Sequence, residues 1–471
     1  MVFSSISFLI YFMPVFFLIY FLLPGKYRNG WLLISSILFF SWGAPVFLFT
    51  VLASCLVDYF LASKFGGSNR KRYFTISIVL NLVLLGYFKY ANFFIDNFNF
   101  ISKSLTGDVL TFGHILLPVG ISFLTFHKIS FLYDVYRRET EFPAKFSHYL
   151  LFILLFPHLI AGPIVRFKEI LPQIQNRYKS ISWENTYYGL LQFIIGLSKK
   201  VLIANILGEQ VNNALNGHFN EIDFTESWVV IFAYSFQLYF DFSGYSDMAI
   251  GMARMMGFQF PENFRFPYTS KSITEFWKRW HITLGSWMRD YLYIPLGGNQ
   301  SGIYKTYFNL FLVFFLSGLW HGASWNFVIW GMFHGAFLVM ERMFLGKFLK
   351  KIPGVVSAFY AFLVVMSGWV FFRIDSFGNG IQYLKTMFSF SSINIDYLQA
   401  LPSKFLLVLL LAAFFSFQTG SLQLRWTKLY TEKNNKPLLN IMMAAGLVLL
   451  YIFNLGELYA TGFNPFIYFK F

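Results

Sequence analysis

The sequence predicts an all-α, polytopic integral membrane protein. Three observations carry that prediction. Hydrophobic residues make up 56% of the chain and charged residues only 13%, about half the ~25% of a soluble domain. Apolar runs approaching the ~20 residues a bilayer needs recur from end to end. The basic residues behind the net charge of +15 cluster in loops between those runs, as Lys and Arg do on the cytoplasmic side of a membrane. That excess could also steer an anionic ligand. No internal repeat or low-complexity linker is visible, so 1–471 reads as one membrane domain.

The first run, "FSSISFLIYFMPVFFLIYFLL", follows no basic residue and precedes no small-x-small cleavage site. It is expected to remain as a span over 3–23 rather than to be removed as a signal peptide. Segments 31–42 and 45–63 form a broken or tilted hairpin, because Pro45 in "SWGAP" cannot continue a helix cleanly. Further segments are expected at 73–94, 114–133, 148–164, 186–207, 228–251, 306–318, 322–341, 354–372, 403–420 and 438–456. Together they make about a dozen, most of them crossing. Cys55 is the only cysteine, which excludes an intramolecular disulfide and a cysteine metal cluster.

Charge orients the spans. The loops holding Lys64, Arg70, Lys71 and Arg72, then Lys347, Lys350 and Lys351, then Arg425, Lys428, Lys433 and Lys436 read as cytoplasmic. Loop 208–227 has Glu209, Glu221, Asp223 and Glu226 but no Lys or Arg, and reads as outside. Arg137, Arg138 and Lys145 precede segment 148–164, and Arg166, Lys168, Arg177 and Lys179 follow it, so both flanks read as cytoplasmic. That segment is expected to be re-entrant, with "FPHLIAGP" turning inside protein, the one place where irregular backbone is tolerated at depth.

The 252–305 region is long and basic, with "FRFPYTSKSITEFWKRWHITLGSWMRDYLYIPLGG" at its centre. Ser272 and Glu275 fit a capping box, which predicts a helix from about Ile273. Trp277, Trp280, His281, Leu284 and Met288 then form an apolar stripe at spacings of three and four. Such a helix either lies on the inner leaflet or closes a cavity open to the cytoplasm.

Residues 306–341 are too long for one span and too short for two full crossings with a turn. A break near Ser317–Gly318 is expected, leaving His321 at depth inside "SGLWHGASWNFVIWG". On a helical wheel, Ser317, Ser324, Gly331 and Gly335 share its side and His334 falls roughly opposite. Small neighbours would let a ligand or another backbone approach closely. A desolvated imidazole is an uncharged base at neutral pH, suited to taking a proton from an attacking hydroxyl. The competing reading is a structural histidine bonded to a carbonyl.

Other chemistries lack their patterns. There is no HExxH, Walker or dinucleotide fingerprint and no GxSxG, and no metal site is expected. Asp241 and Asp247 in "QLYFDFSGYSDMAIG" are expected to pair with Arg residues of the following loop, or else to belong to a proton path.

The stretch from "YFDFSGYSDMAIG" through "FWKRWHITLGSWMRDYLYIPLGG" to "SGLWHGASWNFVIWG" resembles the membrane-bound O-acyltransferase superfamily. "PVGISFLTFHKISFLYDVYR", "AGPIVRF" and "NPFIYFKF" extend the likeness over nearly the whole chain. It is most similar to the bacterial branch of alginate O-acetylases, peptidoglycan O-acetylases and teichoic acid D-alanyl transferases. The resemblance implies a helical bundle with a central funnel and re-entrant segments in a bacterial cytoplasmic (inner) membrane. It makes His321 the catalytic histidine and His281 the second catalytic polar position. It implies no permanently bound cofactor. The donor substrate is an acetyl-CoA or acyl carrier protein thioester, for which Lys278, Arg279, Arg289, Trp280 and Trp320 are the candidate binders. Asp241, Asp247, Ser324 and Asn326 are supporting polar groups. The acceptor is an exported polysaccharide, reached directly or through an extracytoplasmic acyltransferase or acceptor protein. Nucleic acid is not an expected partner. D-alanyl transfer to teichoic acid, a transporter of acyl groups or glycan, and a scaffold for an external transferase are the alternatives. A transporter should show inverted repeats or paired broken spans, and none is visible.

Overall fold

Pro45 opens the helix Pro45–Ser63, and Ala44, at φ −154°, breaks the chain from the helix Gly25–Gly43 before it. The same local logic runs through the computed structural model, which describes residues 2–217, 219–419, 437–465 and 467. Among the described residues there is no strand, only one isolated bridge between Phe264 and Trp280. Among the described residues seven helical stretches are long and apolar enough to cross a membrane: Pro45–Ser63, Arg70–Leu105, Trp183–Gly217, Ile303–His321, Trp325–Leu349, Gly354–Arg373 and Ile441–Thr461. Ser7–Leu22 and Ser403–Ser416 are shorter apolar helices. The basic residues Arg425, Lys428, Lys433 and Lys436, the Lys179 side chain and most of "FIYFKF" lie outside what is described.

The helix Phe224–Met255, 32 residues long, forms the centre of the bundle. It packs antiparallel along Trp183–Ser198. A Cβ on Gly189 would lie 2.6 Å from the Gly251 carbonyl oxygen, and one on Gly196 would lie 2.6 Å from that of Gly244. Glycines seven apart share one helix face, and without side chains the two backbones meet directly, as association in lipid favours. This contact sets the polar pairing. Asp241 meets Lys200 at 2.8 Å and Asp247 meets Lys199 at 2.6 Å. Both aspartates therefore pair, but with lysines of the preceding π-helical stretch Lys199–Asn205, not with the arginines that follow them. Sequence order favoured the arginines; the glycine-mediated crossing favours the lysines.

Residues 149–165 are buried throughout. They form two short helices, Phe146–Leu154 and Phe156–Leu159, broken at Leu155, the short, interrupted form expected of a re-entrant segment. Side chains satisfy its freed backbone groups: Phe156 N–H donates to Ser36 Oγ at 3.2 Å and Ile164 N–H to Thr283 Oγ1 at 3.0 Å. Two expectations shift. The helix expected over 114–133 begins only at Ile121, after Gly120 at φ +76°. The loop expected over 208–227 is helical as far as Gly217.

Residues 463–465 and 467 meet Ser4 and Asn205 beside the central helix. Asn464 Nδ2 donates to the Ser4 carbonyl at 2.9 Å, Asn205 Nδ2 to the Phe463 carbonyl at 3.0 Å, and Ile467 N–H to Asp241 Oδ2 at 3.0 Å.

Candidate active site

His321 is the last residue of the helix Ile303–His321, and extended Gly322 ends that helix. The next helix, Trp325–Met340, starts after Ser324. The break thus falls at 322–324, not at Ser317–Gly318. The physical reason is a backbone contact. Gly318 and Gly331 abut, with Cα of each about 3 Å from where the other's Cβ would be, so Gly318 is needed inside a helix as a crossing point. The wheel expectation fails with it, because Gly331 and Gly335 belong to the second helix and Ser324 lies in the break before it. The two glycines serve the helix hairpin and do not clear a face for ligand. His334 is not opposite either; it and His321 pack on Trp330 from 5.1 and 4.9 Å.

Half of the predicted capping box forms: Ser272 Oγ accepts from Glu275 N–H at 3.0 Å, but the Glu275 carboxylate accepts from Lys271 N–H at 2.9 Å rather than from Ser272 N–H. The Glu341 carboxylate adds bonds from Ile273 and Thr274 N–H at 2.6 and 2.8 Å. The single stripe helix does not form. It splits into Ile273–Arg279 and Ile282–Met288, with His281 between them in the left-handed region at φ +47°. That conformation costs a non-glycine residue ~1–3 kcal/mol and clusters at functional sites. A small frame holds it: Ile282 N–H donates to the Asn263 carbonyl and Arg265 N–H to that of Arg279, both at 2.9 Å. The turn lets consecutive Trp280 and His281 both point inward, each 2% exposed.

His281 and His321, forty positions apart in sequence, converge on one indole. The Trp320 ring lies 6.2 Å from His281 and 4.9 Å from His321. Phe242 meets His281 edge-on at 4.6 Å, and Trp330 and Phe372 wall His321 at 4.9 and 5.3 Å. Trp320 itself is stacked on Phe126. Both histidines are therefore held by packing, in an environment with little water. Burial pushes the His281 imidazole down to about 3, so it is neutral at physiological pH.

His321 borders a cavity of about 110 Å³, lined also by Lys89, Gly120, Ser122, Ile160 and Trp320. The far side of Trp320 faces a larger apolar cleft of about 850 Å³, walled by residues such as Leu82, Ile129 and Phe315. His281 and Lys89 are both near enough to His321 to act on it electrostatically. Sequence reasoning missed Lys89, Ser122 and the turn at 117–120 that leads into the helix beginning at Ile121. A lone lysine inside the apolar run "LLGYFKYANFF" was the available signal.

The remaining residues expected at the site are spread around it. Trp320 lines the His321 cavity, whereas Trp280 is buried against Tyr239, Phe264 and Trp369. Lys278 is exposed, Arg279 pairs with Glu275 at 2.5 Å, and Arg289 pairs with Asp290 at 2.7 Å; none of the three lines the His321 cavity. Asn326 donates to the Ile374 carbonyl, tying the second helix to the chain just after Gly354–Arg373, and Ser324 precedes the second helix without a side-chain capping bond. Asp241 and Asp247 sit in the ion pairs described above.

Residues 69–372 match the model of the MBOAT, membrane-bound O-acyltransferase family. The chain is 39% identical to the probable alginate O-acetylase of Pseudomonas putida over 100% of both chains. It is 35% identical to the peptidoglycan O-acetyltransferase of Helicobacter pylori, over 86% of this chain and 83% of that one. It is 29% identical to the teichoic acid D-alanyltransferase of Bacillus subtilis, over 50% of this chain and 60% of that one.

Proposed function

The chain belongs to the membrane-bound O-acyltransferase family and is a multi-pass membrane acyltransferase, and from that premise we propose that it moves acetyl groups onto an exported polysaccharide. The donor is a thioester, acetyl-CoA or an acyl carrier, reaching the site from the cytoplasm. The acceptor is a hydroxyl of an alginate-type exopolysaccharide or of peptidoglycan, met directly or through an extracytoplasmic partner protein. The membrane is the bacterial cytoplasmic one. Relatives that match over nearly their whole length are O-acetylases, whereas the D-alanyl transferase matches half of the chain, which favours acetyl.

His321 acts as the general base. The acceptor oxygen attacks the thioester carbonyl carbon while its proton passes to the His321 imidazole. The carbonyl π pair moves onto oxygen. Collapse of the tetrahedral species breaks the C–S bond, and the departing thiolate takes the proton back, with His281 orienting or relaying it. The products are an O-acetyl ester and a free thiol. Positioned base catalysis of this kind contributes about 10²–10⁴ in rate. Exposed Lys278 and Arg289 supply positive charge for an anionic donor.

The observation that carries the reading is the convergence of two buried histidines on Trp320 beside a small cavity. The test is His321→Ala at wild-type abundance in the producing cell, with O-acetyl groups on envelope and secreted polysaccharide measured chemically. Loss of the O-acetyl groups is expected; full retention would refute the role of His321.

A further inference from the structure

We propose that Lys89 binds the carbonyl oxygen of the acyl group and stabilises the negative charge that develops there during transfer; this rests on the acyl-transfer reading above. Three lysines are buried among the described residues. Lys128 is neutralised by Asp58 at 3.0 Å and Lys200 by Asp241 at 2.8 Å. Lys89 is 6% exposed and, among the described residues, has no carboxylate partner. Its Nζ donates to the Ser122 hydroxyl at 3.1 Å and to the backbone carbonyl of Trp320, the residue before the catalytic histidine. Both acceptors are neutral. A buried lysine answered only by neutral groups is costly to keep charged in a membrane protein and marks a functional position.

The surroundings show where the missing negative charge belongs. Lys89 lies on a π-helical turn, Gly86–Tyr90, the kind of local widening that recurs at functional sites. It lines the same cavity of about 110 Å³ as His321 and Ser122. That volume is several times the ~30 Å³ share of a water and suits a group the size of acetyl. A lysine ammonium has three N–H donors; two are used here, and one is left for a ligand. A thioester carbonyl in this space would have the base on one side and the cation on the other. As the acceptor oxygen bonds to carbon, the π pair goes to the carbonyl oxygen beside Lys89. When the C–S bond breaks, that pair returns and the charge leaves with the thiolate. A fixed charge aimed at this oxygen acts on the transition state more than on the neutral substrate.

The test uses the full-length chain in the producing cell. Lys89→Met, Lys89→Gln, Lys89→Arg and His321→Ala are compared at equal abundance. O-acetyl groups added per unit time are measured, and the Tm of each purified protein is recorded. Lys89→Met and Lys89→Gln are expected to lower the rate about 100-fold, the usual loss of an oxyanion donor. Lys89→Met should nevertheless keep or raise Tm, because an apolar side chain replaces an uncompensated buried charge. Lys89→Arg, which keeps the charge, should retain a rate at least ~10-fold above Lys89→Gln. A rate within ~3-fold of wild type in Lys89→Met or Lys89→Gln, with His321→Ala inactive, overturns the role of Lys89 and leaves the acyl-transfer reading intact. A fall in Tm or failure to fold in Lys89→Met and Lys89→Gln, with Lys89→Arg inactive, shows a structural prop and also overturns it. An active His321→Ala sinks the underlying reading instead.

Discussion

Gly331→Ala should disable the site from the far side of a helix contact. An added Cβ would lie 2.4 Å from the Phe314 carbonyl oxygen and 3.1 Å from Gly318 Cα. An ordinary van der Waals contact is roughly 3.5 Å, so Trp325–Met340 must retreat from Ile303–His321 by about 1 Å. Overpacking of this size costs about 1–3 kcal/mol. The functional cost is larger in kind. Trp330, next to Gly331, walls His321 at 4.9 Å, and a 1 Å misplacement at a reacting centre lowers rates by about 100-fold. The internal control is Gly335→Ala on the same helix. There the nearest atoms are Phe311 Cδ2 at 3.2 Å and Phe314 Cβ at 3.3 Å, side-chain atoms that need move only a few tenths of an ångström, so a rate within ~3-fold of wild type is expected. O-acetyl content of the polysaccharide at matched protein abundance reads activity, and thermal unfolding in detergent reads stability. If Gly331→Ala is wild type in both, or Gly335→Ala is equally damaging, the hairpin contact does not position His321.

Asp58→Asn should leave Lys128 buried without its counter-charge and destabilise the protein by about 3–5 kcal/mol, whereas Asp58→Leu with Lys128→Met should recover most of that loss; a double variant less stable than the single one, in detergent unfolding, refutes the pairing argument. Burial lowers the His281 imidazole from 6.5 to about 3. Across that window the unfolded chain binds a proton that the folded chain does not. The contribution to stability is therefore complete above pH 6.5 and is lost on acidification, by up to about 1.4 kcal/mol per pH unit. His281→Asn should flatten the dependence of Tm on pH between 6.5 and 4; parallel profiles for the two proteins would contradict it.

The sequence made some features legible because they are local. Pro45 fixes a helix start through its own ring, and Ser272 with Glu275 fixes another through bonds within one turn. His321 and His281 stood out because a titratable ring in an apolar run or stripe is conspicuous by itself. What stayed hidden is set by partners far away in sequence. The break at 322–324 follows from Gly318 meeting Gly331. The left-handed turn at His281 depends on bonds to Asn263 and Arg265. The pairing of Asp241 with Lys200 depends on two glycine pairs between separate helices. Lys89 was visible as a letter, but only the fold brings it to the Trp320 carbonyl.

The clasp between Ser4 and Asn464 imposes a timetable on the molecule. On the ribosome Asn464 follows Ser4 by 460 residues, yet the two must grip each other beside the helix that carries Asp241. Until residues 463–467 emerge, the Asn205 amide nitrogen and the Ser4 carbonyl lack those partners, and the bundle stands open on that flank. A polypeptide cut short before them keeps polar atoms unanswered inside the protein, where each costs free energy.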